Sequence, residues 1–238
     1  MLAGMAEAQS LRASLAEHGL SPRRHGYGLL LLLILFSLGF QLGAPESDLT
    51  HWITIVLQGG MFLAALGISH GRTRMLRATT IAIAAFAFAS ALGLAASGGV
   101  DAAGARAVSV ALVVVTQAVI LSGVIAHVRE EGRVTVQTMF GVLCIYLLIG
   151  ALFAFTYGLI DNLSDTPFFA QIDHADTSDY LYFSFTTQTT TGFGDLTAGT
   201  DLGRSFAIIE ELLGQIYMVT VVALIVGSLG ASARQRSA

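Results

Sequence analysis

The sequence predicts an all-α integral membrane protein with about six transmembrane helices, and with a short re-entrant helix and loop between the fifth and the sixth. Three observations lead to this fold class. The chain of 238 residues is 54% hydrophobic and only 12% charged, about half the charged share of a soluble domain. Six apolar runs approach the ~20 residues that cross a bilayer as a helix. Arginines are concentrated in alternate connections between those runs.

Composition also narrows the class of function. The formal net charge of −4 and the lack of a basic tract argue against a nucleic-acid partner. The single cysteine, Cys144, lies in an apolar run and has no partner for an intrachain disulfide. The rows contain no nucleophile–base pair, phosphate-binding loop, dinucleotide fingerprint or metal-ligand spacing. We therefore expect a protein that is not an enzyme and has no organic cofactor.

The six apolar runs are 27–43, 52–70, 75–96, 105–128, 136–160 and 205–229. In lipid every backbone polar group must be paired within the protein, so each run is predicted to be a helix. The first run is the shortest, at roughly 17 residues. It follows basic residues and so also resembles a signal peptide. Ala44-Pro45 makes a poor cleavage site, but whether this span is removed stays open.

The arginines predict the orientation of the chain. They precede the first run, separate the second from the third and the fourth from the fifth, and follow the sixth. Of the alternate connections, the first has no arginine, the second has only Arg106, and the long third one, which is rich in aspartate, has only Arg204. By the positive-inside rule both termini are cytoplasmic, which requires an even number of spans. Residues 1–26 are then a cytoplasmic N-terminal segment and 231–238 a short cytoplasmic tail. The chain has no lysine, so the pattern depends on arginine alone.

The region 27–128 is predicted to be a four-helix transmembrane domain. A voltage sensor needs arginines at every third position within a membrane helix. The fourth run has Arg106 at one end and no other basic residue before His127. Voltage sensing of that kind is therefore not expected, and this domain is either a scaffold or a relative of a sensor that lacks its charges.

A segment of different character separates the fifth and sixth runs. It begins with an acidic loop and continues as a short helix for which Ser178 is the predicted N-cap. A helix of about a dozen residues is about 18 Å long and too short to span the membrane. The following stretch "TTGFGD" cannot be helical throughout because of Gly192 and Gly194. Non-helical backbone at membrane depth must be buried in protein or line a watery cavity.

Gly192 and Gly194 occupy alternate positions, which suggests a specific backbone. Successive carbonyls of an extended strand point to opposite sides unless alternate residues adopt left-handed dihedrals, which glycine does readily. A row of carbonyls with a threonine hydroxyl below it offers oxygen ligands to a hard cation. The surrounding acids would make a negative vestibule in a symmetric assembly, although most are expected to be ordinary solvated charges. They are Asp161, Asp165, Asp173, Asp176, Asp179, Asp195 and Asp201.

The stretch "TTGFGD" resembles the selectivity filter of the potassium-channel pore family. "DYLYFSFTTQT" before it is similar to the pore helix, "GRSFAIIEELLGQIYMVTVVALIVG" after it to the inner helix, and "GVLCIYLLIGALFAFTYGLI" to the outer helix of bacterial pore domains. The resemblance covers about 134–229, and the pore domain is placed at 134–230. It implies a homotetramer that conducts potassium ions passively along its symmetry axis. It also implies a location in the plasma membrane, which in a bacterium is the inner membrane.

The resemblance also implies roles for single residues. The carbonyls of Thr190, Thr191, Gly192 and Phe193 would bind potassium, with the Thr190 hydroxyl as the lowest ligand and Gly194 completing the outer turn. Asp195 would stand at the outer mouth, and the gate would lie near 226–231. Glu210, Glu211 and Gly214 are candidates for gating or filter support, with structural pairing and close helix packing as the alternatives.

Two positions depart from the family pattern. Phe193 stands where tyrosine is usual and lacks its hydroxyl, and Thr191 stands where valine is usual. Neither places a carboxylate in the row, but both leave open a non-selective or sodium-permeable channel of the same architecture. A secondary transporter is a weaker alternative, because no internal repeat is seen in the sequence.

Overall fold

The computed structural model describes residues 26–45, 47–68, 102–131 and 135–236. Within these ranges the chain forms six helices and no strand, apart from one isolated bridge between Phe169 and Ala198. The helices are α1 Gly26–Gly43, α2 Asp48–Ile68, α3 Ala102–Glu131, α4 Val136–Leu163, α5 Thr177–Gln188 and α6 Asp201–Arg236. The predicted third run, 75–96, lies outside the described residues, as do residues 1–25 and the end of the predicted tail.

Four of the described helices, α1 to α4, are long and apolar enough to cross a membrane. They confirm the described parts of the runs at 27–43, 52–70, 105–128 and 136–160 as helices, the second as far as Ile68. Their length and apolar composition support a membrane protein. α6 contains the sixth run and has 36 residues, about 54 Å of helix. The total of six crossings and the re-entry of α5 stay predictions.

The helix ends differ from the predicted runs where polar groups extend them. α2 begins before the apolar run, at Asp48, because the Ser47 hydroxyl accepts the Thr50 amide at 3.2 Å and so caps the first turn. α5 begins after Asp176, so the prediction of Ser178 as its N-cap is wrong. The Asp176 amide instead donates to Asp179 Oδ2 at 2.9 Å, which gives an exposed N–H of the first turn a partner.

α4 is central to the packing. It contacts α1, α3, α5 and α6, while α2 packs against α1 and α3. α5 lies between α4 and α6 and also touches α1. A cluster of aromatic rings with centroids 4.9 to 6.0 Å apart joins α4, α5 and the loop between them. Its members are Phe153, Tyr157, Phe168, Phe169, Tyr180 and Phe183.

Large apolar side chains also cover the outside of the molecule. Leu29, Leu32 and Phe36 of α1 are 64% to 68% exposed, and Ile216 and Val219 of α6 are 63% and 67% exposed. An apolar exterior of this extent is unusual for a soluble monomer. On α1 it suits contact with lipid, and on α6 it suits contact with lipid or with another subunit.

Candidate functional site

The short helix α5 is held inside the protein by its own side chains. Its 12 residues give about 18 Å, too short to span a bilayer. Tyr180, Leu181, Phe183, Ser184 and Gln188 are buried against neighbouring elements. α5 therefore ends at a defined place, and the chain that follows it starts from a fixed point.

The backbone after α5 alternates in handedness. Thr190, Gly192 and Gly194 have φ angles of 55°, 52° and 80°, while no other described non-glycine residue has a positive φ. The glycines were predicted to adopt these angles, but Thr190 was not. Counting back two positions from Gly192 could have identified it. A left-handed threonine costs roughly 1–2 kcal/mol, so the surrounding structure must hold Thr190 in place.

We call residues 189–195, which follow α5, the segment. Hydrogen bonds hold its N-terminal end. The Thr186 carbonyl accepts the amides of Thr191 at 2.8 Å and Gly192 at 3.2 Å, and the Thr190 amide donates to Thr187 O at 2.8 Å. Gln215 Nε2 of α6 donates to Thr190 Oγ1 at 3.0 Å. The Thr190 hydroxyl is thus fixed from a second helix, which the sequence did not indicate.

The threonine that departs from the family pattern also has a partner. Thr191 Oγ1 lies 2.9 Å from Thr189 Oγ1, and Thr189 Oγ1 also lies within 2.6 Å of Phe185 O. Since Thr189 donates its one hydroxyl proton to the carbonyl, Thr191 is the donor between the two hydroxyls. The hydroxyl that valine would lack is therefore tied to the end of α5.

Tyr182 connects the C-terminal end of the segment to α5. Its hydroxyl donates to Asp195 Oδ2 at 2.8 Å, and this hydrogen bond raises the pKa of Tyr182. The Tyr182 ring stacks on Phe193, with centroids 6.1 Å apart and planes 5° from parallel. Sequence reasoning gave Tyr182 no function. Asp195, in contrast, was predicted to stand at the outer mouth of a pore, and it is the last residue of the segment, which runs from 189 to 195.

One side of the segment is open within a single chain. Residues 189–195 are all exposed, and Phe193 is 69% exposed although it is apolar. A Cβ built on Gly192 or Gly194 would meet nothing within 4 Å. The side away from α5 is therefore free to face an ion pathway or other subunits.

The part of the chain that contains α5, the segment and most of α4 and α6 matches a known sequence pattern. Residues 141–230 match the family model described as Ion channel. The match begins in α4, includes α5 and 189–195, and ends in α6; we call this stretch the ion-channel region. It covers less than half of the chain and leaves out α1 to α3. A search of curated proteins found no match.

Gly214 of the ion-channel region allows α6 to approach the end of α5. A Cβ at Gly214 would lie 2.4 Å from the Gln188 carbonyl oxygen and 2.9 Å from Gln188 Cγ. Gln188 in turn donates from Nε2 to Tyr146 O of α4 at 2.9 Å. α6 is continuous through Gly214. The structure thus contains the close packing that was one of the two expectations for this glycine, and a hinge stays a prediction.

The adjacent acids Glu210 and Glu211 have different surroundings. Glu210 is fully buried, accepts a hydrogen bond from the Tyr157 hydroxyl at 2.5 Å and contacts the Ser184 hydroxyl. Glu211 is exposed in the single chain. Arg204 lies at the start of the same helix, α6, and is a conceivable structural partner for either acid. In the described contacts it instead pairs with Asp201 at 3.8 Å and donates to Ala198 O.

Two charged residues make structural contacts that the sequence did not predict. Asp161 was read as a solvated loop acid, but it accepts from the Phe168 amide at 2.6 Å and from the Tyr180 hydroxyl at 2.5 Å. Arg106 of α3 is 7% exposed, donates to Gly158 O of α4 at 3.1 Å and stands 5.0 Å above the Tyr180 ring. Arg106 therefore links α3 to the ion-channel region. The sequence feature that could have indicated this role is the position of Arg106 as a single arginine in a connection that otherwise has none.

Proposed function

We propose that four copies of this protein form a potassium-selective ion channel with the 189–195 segments around a common axis. The observation that carries the proposal is the alternation of positive φ at Thr190, Gly192 and Gly194. Such alternation turns successive carbonyls toward one side of the strand, which is the arrangement that replaces the water shell of a potassium ion. The ion-channel match of residues 141–230 supports the same conclusion at the level of the region.

The open side of the segment supports assembly. One strand supplies oxygens from one direction only, whereas a dehydrated ion needs them all around. Exposure of Phe193 and the open space beside Gly192 and Gly194 leave room for neighbouring subunits. Cyclic symmetry around the pathway brings identical strands together, and four is the number used by carbonyl filters of this type.

The proposed mechanism is passive conduction through adjacent sites. Carbonyls of Thr190, Thr191, Gly192 and Phe193 bind the ion, and the Thr190 hydroxyl, held by Gln215, forms the lowest ligand. α5 ends at this row, so the negative end of its dipole favours a cation beneath it. Asp195 adds negative charge at the outer mouth. Ions displace one another from site to site, with no chemical step.

A cation channel of weak selectivity is the second candidate, and Phe193 favours it. The ring has no hydroxyl to bond behind the segment and is positioned by stacking on Tyr182. Selectivity depends on how well the carbonyls hold their spacing or their number around the ion. A segment held at Phe193 by stacking alone would discriminate less between potassium and sodium.

The test is the reversal potential of purified protein in planar bilayers with potassium on one side and sodium on the other. The potassium channel predicts a large shift toward the potassium equilibrium potential, and a potential near zero would favour the weakly selective alternative. Gly192→Ala is expected to abolish potassium selectivity, because alanine tolerates a φ of 52° poorly. Gly59→Ala in α2, whose Cβ would also meet nothing within 4 Å, is the control. Unaltered selectivity in Gly192→Ala would place the ion pathway elsewhere.

A further inference from the structure

A buried carboxyl group lies where α4, α5 and α6 meet. Glu210 of α6 has no exposed surface. Its Oε2 atom accepts from the Tyr157 hydroxyl of α4 at 2.5 Å, and its Oε1 atom contacts the Ser184 hydroxyl of α5. Ser184 Oγ also lies 2.7 Å from the Gly150 carbonyl oxygen of α4. One carboxyl group thus connects all three helices of the ion-channel region.

Counting hydrogens determines which of these atoms donate. A serine hydroxyl has one proton, and a backbone carbonyl can only accept. Ser184 therefore donates its proton to Gly150 O, because that contact has no other source of hydrogen. The close contact between Ser184 Oγ and Glu210 Oε1 then needs a proton from Glu210. The Tyr157 proton is already used on Oε2.

We infer that Glu210 is a neutral carboxylic acid that donates to Ser184 and thereby positions the pore helix α5. The resulting chain of hydrogen bonds runs from Glu210 through Ser184 to Gly150, with Tyr157 donating to the other carboxyl oxygen. Each buried polar atom in this series of hydrogen bonds, from Tyr157 through Glu210 and Ser184 to Gly150, has a partner, and the series buries no net charge. A carboxylate in the same place would be an uncompensated charge, which is far more costly in an apolar interior.

Among the described residues, the groups in contact with Glu210 carry no positive charge. From α4 it faces Tyr157 and lies within electrostatic range of Tyr146. From α5 it faces the uncharged Ser184. On α6 itself the neighbouring Glu211 is exposed and has the same sign. In the part of the chain that the structure describes, no arginine forms an ion pair with Glu210.

Loss of the Glu210 proton would rearrange these bonds in a defined way. The carboxylate accepts the Ser184 proton, and the bond from Ser184 to Gly150 O is then lost. α5 is released from α4 at Ser184, six residues before Thr190. The effect on conduction rests on the proposed function. We expect alkaline pH to reduce conduction, because the release of α5 disturbs the alignment of the 189–195 carbonyls.

The protonation state can be measured without any current. Infrared difference spectra of the purified full-length protein between neutral and alkaline pH should contain the carbonyl band of a protonated carboxyl group. This band should be absent in Glu210→Gln, retained in Glu211→Gln, and shifted in frequency in Ser184→Ala, which removes the acceptor. If Glu210→Gln removes no protonated-carboxyl band at neutral pH, the inference is overturned, whether or not the protein conducts.

The consequence for conduction is tested by potassium currents from about pH 6 to about pH 10. The wild type is expected to lose at least half of its current at the alkaline end. Glu210→Gln keeps a neutral donor and acceptor and should conduct across the range, while Glu211→Gln should keep the wild-type pH response. A Glu210→Gln channel that loses current with the wild-type profile would overturn the positioning role.

Discussion

The hydroxyl of Tyr182 donates to Asp195 Oδ2 across 13 residues of chain, at 2.8 Å. The bond joins α5 to the last residue of the 189–195 segment. The Tyr182 ring also stacks on Phe193, so the same side chain contacts the segment at two positions. The C-terminal half of the segment is therefore anchored by one side chain of α5, while its N-terminal half is anchored by Thr186 and Gln215.

Removing this anchor is expected to shorten channel openings. Tyr182→Phe keeps the stacked ring and deletes the hydrogen bond, whose net value is about 1 kcal/mol. We expect single-channel open times to fall roughly fivefold. Asp195→Asn is the matched variant, because its amide oxygen can still accept from Tyr182, and its openings should stay longer than those of Tyr182→Phe. Equal open times in Tyr182→Phe and wild type would show that the bond does not steady the segment.

Adding one carbon at Gly214 is expected to disturb the pore. The new Cβ in Gly214→Ala would lie 2.4 Å from the Gln188 carbonyl oxygen, so α5 or α6 must move. Overpacking of this kind costs about 1–3 kcal/mol. Thermal unfolding in detergent should show a lower midpoint and bilayers a smaller current. Gly227→Ala, also in α6 but with nothing within 4 Å of its Cβ, should leave the midpoint unchanged or raised. Similar midpoints for the two variants would contradict the close packing.

Arg106 is expected to stabilise the contact between α3 and the ion-channel region. Arg106→Met removes the donor to Gly158 O and the cation above the Tyr180 ring, at an expected cost of about 2 kcal/mol. The check is the thermal midpoint of purified protein. Arg129→Met, at an exposed position of the same helix, should have little effect. Arg106→Lys should recover only part of the loss, since an ammonium lacks the planar geometry. No loss in Arg106→Met would rule out the link.

The Thr190 hydroxyl is expected to affect conductance at the lower end of the segment. Thr190→Val has nearly the same shape, but it leaves Gln215 Nε2 without its acceptor and removes the oxygen that we propose as the lowest ligand of the ion. Single-channel conductance in potassium should fall severalfold in Thr190→Val and stay near wild type in Thr190→Ser, which retains the hydroxyl. Equal conductance in the valine and serine variants would exclude this oxygen as a ligand.

Sequence reasoning predicted the features that depend on local chemistry. The runs at 27–43 and 136–160 became α1 and α4 because an apolar stretch in lipid must satisfy its own backbone groups. The left-handed angles of Gly192 and Gly194 followed from the absence of a Cβ. The Ion channel match over 141–230 agrees with the sequence resemblance at the level of the region.

Contacts between distant parts of the chain could not be predicted in the same way. Glu210 and Glu211 have the same chemistry and adjacent positions, and only the arrangement of α4 and α5 decided that Glu210 is buried. Arg106 reaches Gly158 across 52 residues, a pairing that no local pattern indicates.

Within the described residues, the sequence by itself therefore determined which segments are helical and where the backbone between α5 and α6 must leave the helix, because these depend on side-chain polarity and on glycine dihedrals. Only the tertiary structure decided which side chains hold that backbone, among them Tyr182, Ser184 and Gln215. The physical reason is that a hydrogen bond needs two atoms within about 3 Å of each other. The crossing of three helices sets those distances, and no single helix contains the information.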